Sequence, residues 1–119
     1  FFGHPLSCYI GSLALNAIQE DRLCERSKEL GKQALSFLKN KLSDHNLVQD
    51  IRGKGLMIAV EFREKAQGAV LMKELKDKGV LAIPCGEFAQ CLSITPALNI
   101  PETLFFDALQ AICSVVKSW

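Results

Sequence analysis

From Leu56 to Phe62 the chain abandons one spacing of apolar residues for another, and that change constrains the fold more than any other feature. Leu56, Ile58, Val60 and Phe62 alternate with Met57, Ala59 and Glu61, the two-residue period of a strand with one buried face. On either side the apolar residues recur every three or four positions, the period of helices that bury a stripe. A chain that does both must lay helices against a sheet. Its 119 residues suffice for one such domain around one core, but not for two.

The helical period predicts a first helix over residues 5–20. Pro5 is tolerated in its first turn, and Leu6, Ile10, Leu13, Ala14, Ala17 and Ile18 form its stripe. A second helix spans roughly 22–42, with Leu23, Leu30, Ala34, Phe37, Leu38 and Leu42 inward. The polar cluster SDHN ends it. After the 56–62 strand, residues 65–78 return to helix, and Gly79 stands where a left-handed C-terminal residue is needed. VLAIPC and CLSIT read as short strands around a CGEF turn, and a last helix starts near Pro101. The expected fold is α/β of the two-layer α+β kind, in the order ααβαββα. A three-stranded sheet carries helices on one face, and residues 1–119 form a single domain. The first helix is more apolar than a surface helix needs. Tyr9, Ile10 and Leu15 cannot all face one layer, so a second surface is expected to cover it.

Composition removes several functions. Fourteen basic and thirteen acidic residues leave a formal charge of +1 with no cluster of Lys and Arg, so no phosphate backbone is matched and nucleic acid is not expected as a partner. The stretch PLSCYIGSLALNAI falls short of the ~20 apolar residues of a membrane span and lacks a basic leader, so no membrane partner is expected. Five widely spaced cysteines are an odd set, which favours free thiols in a reducing cytoplasm over a disulfide framework.

Residue by residue, no catalytic set assembles. His4 and His45 are the only imidazoles and lie far apart. Cys85 and Cys91 lack the convergent partners and tighter spacing of a zinc site, so no metal ligands are assigned. No Ser/His/Asp or Cys/His/Asn combination stands out. RGKG looks like a phosphate loop but precedes a strand rather than a helix, which makes Arg52 a structural or interface residue.

FFGHPLSC with its helix, RGKGLMIAVEF, LKDKGVLAIPCG and SITPALNIPE follow one another in order over the whole chain. Together they resemble the C-terminal small domain of class III (ω-) aminotransferases, the group of the acetylornithine, ornithine and 4-aminobutyrate enzymes. The resemblance implies the fold-type-I architecture, dependence on pyridoxal phosphate, an amino acid or amine as donor, a keto acid as acceptor, and a homodimer in the cytoplasm. In that family a T-F/Y-G-G-N/H-P segment opens the C-terminal part, and its threonine reaches the cofactor phosphate of the partner subunit. Phe1, Gly3, His4 and Pro5 match this segment, and Phe2 replaces its second glycine. The threonine would fall just before residue 1, which implies weak cofactor-binding roles for Phe1 and Gly3. The lysine that holds the cofactor would lie further upstream, in a large domain absent here. No catalytic residue is assigned, and this stretch alone is expected to be inactive.

The family's R-x-x-P-P-L pattern aligns on Pro96 and Leu98, with Ser93 in the arginine's place and Ala97 at the second proline. Ser93 is thereby a substrate-side candidate. Serine supplies no paired, charged donor for a carboxylate. A glutamate-switching mechanism like that of the ornithine enzyme is therefore not implied for this chain, and the donor stays open. The alternative reading is an independent small α/β module that binds a ligand or a protein. The start on Phe1 and the over-apolar first helix favour a piece of a larger enzyme.

Overall fold

The computed structural model describes residues 2–119. Four helices and four strands follow in the order α1 (Pro5–Glu20), α2 (Leu23–Leu42), β1 (Val48–Lys54), β2 (Met57–Phe62), α3 (Gln67–Asp77), β3 (Ile83–Cys85), β4 (Cys91–Ile94) and α4 (Glu102–Lys117). The strands form one antiparallel sheet in the spatial order β1-β2-β4-β3.

The α/β class and the helical layer match the sequence expectation, but the sheet has four strands rather than three. The order is therefore ααββαββα. The additional strand is β1. It buries Val48 and Ile51, three positions apart, because the register shifts between Val48 and Asp50. A bulge of this kind inserts a residue and breaks the two-residue alternation by which a strand is recognised. VLAIPC contributes less strand than expected. Val80 donates its N–H to Leu75 O at the end of α3, so pairing begins only at Ile83.

RGKG is the end of β1 and the first turn residue of the β1–β2 hairpin. Lys54 pairs with Met57, which leaves Gly55 and Leu56 as a two-residue loop with a positive φ at Gly55. That geometry matches the twist of the flanking strands and favours glycine in the first position. Leu56 N–H donates to Ser27 Oγ of α2 at 3.1 Å. Beside it the buried Gly31 of α2 lies so close to Gly55 that a Cβ there would run into the turn's carbonyl. Gly31 and Gly55 thus serve close packing of a turn on a helix.

Helices α2, α3 and α4 close one face of the sheet. Leu30, Leu38, Ile58, Val60, Leu92 and Phe105 lie at the centre of a single apolar core. Burying each such side chain contributes roughly 1.5–3 kcal/mol before entropy is counted. Gly79 takes the expected left-handed conformation after α3.

α1 stands apart. Pro5 occupies its first turn, His4 Nδ1 accepts the Ser7 N–H at 3.4 Å, and none of its residues is buried. Among the described residues it touches α2 and no other element. The molecule is accordingly elongated at 50 × 30 × 24 Å, with a radius of gyration of 16.3 Å. A compact chain of this length would have about 13–14 Å.

Candidate functional site

Strand alternation sends Leu92 and Ile94 into the core and leaves Ser93 half-buried on the opposite face of the sheet. Ser93 stands between Ala59 of β2 and Ile83 of β3. One step along, Cys91 stands between Glu61 and Cys85. Cys91 shares that face and is buried there. Its backbone carbonyl lies close beside Gly68 of α3. Burial pushes the thiols of Cys91 and Cys113 up from the ordinary range.

On the same face Arg52 donates to Glu61 Oε2 across the β1–β2 pair and to Asp50 Oδ2 at 3.0 Å on its own strand. Both carboxylates hold the guanidinium firmly in its charged form. Asp50 and Glu61 are register partners, so Arg52 offsets a like-charge pair that would otherwise weaken the sheet. Arg52 thus braces the β1–β2 pair, in keeping with the structural or interface role expected of it.

A groove of about 520 Å³ opens where residues 78–83, the end of β4 with its following turn, and α4 meet. Ile83, Ser93, Thr95 and Ala97 line one side, and Leu104 and Ala108 of α4 line another. Its wall is mainly apolar with a few hydroxyls, the character of a surface that receives part of a small molecule or a covering segment. The turn that carries Ala97 is held from beneath. Arg26 of α2, half-buried, donates to Leu98 O at 2.6 Å and Ile100 O at 2.5 Å. Sequence reasoning missed this clamp. Its acceptors are backbone carbonyls more than seventy residues away, and backbone acceptors leave no pattern in side chains.

Gly3 lies elsewhere. It has a positive φ in the exposed turn ahead of α1, with nothing within 4 Å of where a Cβ would stand. Phe1 lies outside the described residues. The structure therefore does not bring Gly3 and Ser93 together within this chain.

The described residues do not by themselves make a pyridoxal phosphate site. Every lysine among the described residues is exposed, and none lies in an enclosed pocket that would hold the cofactor. Among the described residues no cluster of His, Cys, Asp and Glu could hold a metal ion, and no helix is long and apolar enough to cross a membrane.

The family Aminotransferase class-III matches residues 1–116. The chain belongs to that family. It is 40% identical over 117 residues to an ornithine aminotransferase of Halalkalibacterium halodurans, a match that covers 98% of this chain and 28% of that protein. An ornithine aminotransferase of Plasmodium yoelii yoelii is 32% identical over 116 residues, 97% of this chain and 28% of that protein. Among solved structures, the acetylornithine aminotransferase from Elizabethkingia anophelis superimposes with a TM-score of 0.88 at 27% identity, over 97% of this chain and 29% of the other. The chain thus spans about 28% of the length of the curated relatives it matches.

Proposed function

We propose that the intact protein is a pyridoxal-phosphate-dependent transaminase that moves an amino group from an amino acid or amine to a keto acid, and that residues 1–119 are its C-terminal small domain. The observation that carries this reading is the class III family match across residues 1–116, joined to the TM-score of 0.88. Pyridoxal phosphate, when bound, supplies the electron sink for the transfer. This chain supplies shape. The groove beside Ser93 receives part of the substrate and excludes water from it, and the Arg26 clamp fixes the turn that borders it. Ser93 faces the substrate in place of a charged fork, so a second carboxylate is held less firmly than an arginine would hold it.

The uncovered stripe of α1 and the turn at Gly3 form part of a homodimer interface in this reading, where Phe1 and Gly3 approach the partner subunit's cofactor phosphate. Support comes from the exposed Leu6, Tyr9, Ile10 and Leu13, which follow one side of a helix about 24 Å long. The names of the relatives make ornithine the first donor to test. The full-length protein with added pyridoxal phosphate is expected to transfer the amino group of ornithine to 2-oxoglutarate, or that of acetylornithine or 4-aminobutyrate if its pocket departs from the ornithine relatives. No transfer from any of the three would overturn the reading. Residues 1–119 alone are expected to be inert in the same assay.

A further inference from the structure

We infer that Cys85 and Cys91 form a reversible disulfide across the β3–β4 hairpin, which makes this hairpin a thiol-modification site. The inference rests on register and burial and does not depend on the transaminase reading. The two cysteines are direct partners in an antiparallel ladder, so their side chains leave the sheet on the same face. Directly opposite residues in such a ladder have Cα atoms about 4.5–5.5 Å apart, inside the range of about 4.4–6.8 Å that a disulfide spans. Their Cβ atoms must approach by about an ångström to reach the usual disulfide spacing. The hairpin can give that much, because β3 is a three-residue strand at the sheet edge. The loop between the cysteines also already bends sharply, with positive φ at Gly86 and Ala89. Both thiols are free, and the other three cysteines lie on α1, near the start of α2, and in α4.

Cys85 is half-buried and Cys91 buried, which orders the chemistry. The Cys85 thiolate attacks one sulfur of a small-molecule disulfide of the glutathione type. That S–S bond breaks, one small thiol leaves, and a mixed disulfide forms on Cys85. Cys91 gives up its proton, and its sulfur attacks the Cys85 sulfur and expels the second small thiol. In sum, the two protein thiols lose two protons and two electrons, and the small disulfide gains both as two thiols. Excess small thiol reverses the sequence. Burial, which holds the Cys91 proton on, leaves the first attack to Cys85. The closed bond would tie the edge strand two pairs away from Ile83 and Ser93, which line the groove.

The test treats the full-length protein with oxidised glutathione, alkylates the remaining thiols, and digests it with a glutamate-specific protease. Cuts after Glu74, Glu87 and Glu102 place Cys85, Cys91 and Cys113 on separate peptides. The expected product is peptide 75–87 joined to peptide 88–102, two hydrogens lighter than the pair, with both alkylation sites lost and both restored by excess reductant. In Cys91→Ser the bridge is absent and Cys85 carries glutathione instead. Glutathione stranded on Cys85 of the native protein while Cys91 is still alkylated would overturn the inference. So would two unreacted thiols, or either cysteine paired elsewhere.

Discussion

Ser93 shows what one residue's position settles and what it leaves to chemistry. Strand alternation alone, read from CLSIT, sends Leu92 and Ile94 to the core and Ser93 to the other face, and the structure agrees. Cys91 obeys the same alternation yet is buried, flanked on neighbouring strands by Glu61 and Cys85. No local pattern encodes that cover. The substrate role proposed for Ser93 is tested by Ser93→Arg in the full-length protein. A bidentate fork contributes about 1.5–3 kcal/mol to a carboxylate contact, so preference for glutamate over a monocarboxylic amine donor should rise roughly tenfold to hundredfold. An unchanged ratio of kcat/KM values would remove Ser93 from the substrate side of the site.

At the scale of elements, α2, α3, α4 and β2 were legible because each keeps its period over several turns or pairs. β1 was hidden by its bulge, and with it the hairpin turn at Gly55 and Leu56. The clue was present in two glycines on different elements, Gly31 and Gly55, but their meeting is a tertiary fact. It yields a stability prediction. Gly31→Ala improves local helix propensity by about 1 kcal/mol, yet its methyl must displace the backbone of the turn, and overpacking of this kind costs about 1–3 kcal/mol. The variant should therefore lower the urea midpoint with little change in slope. A midpoint equal to or above that of the native protein would show that the hairpin does not press on α2 as described.

The whole molecule is a two-layer domain with one helix left over. α1 buries nothing, whereas the other three helices each bury a stripe. The excess of apolar residues on it was visible in the sequence; among the described residues α2 is the one element that touches it. Residues 1–119 in isolation should self-associate through this helix, with an average mass in sedimentation that rises with concentration. Ile10→Glu together with Leu13→Glu should suppress that rise. A clean monomer at high concentration without the substitutions would mean that α1 needs no cover.

The central claim is a division of labour, in which this domain shapes the site and a lysine elsewhere in the protein holds the cofactor. The measurement that tests it most directly is borohydride reduction of the full-length protein loaded with pyridoxal phosphate, followed by peptide mapping. Reduction fixes the cofactor to the amine that holds it. Each lysine from Lys28 to Lys117 is exposed in this chain. The account predicts one stoichiometric label on a lysine outside residues 1–119, and stoichiometric label on any lysine from Lys28 to Lys117 would contradict it.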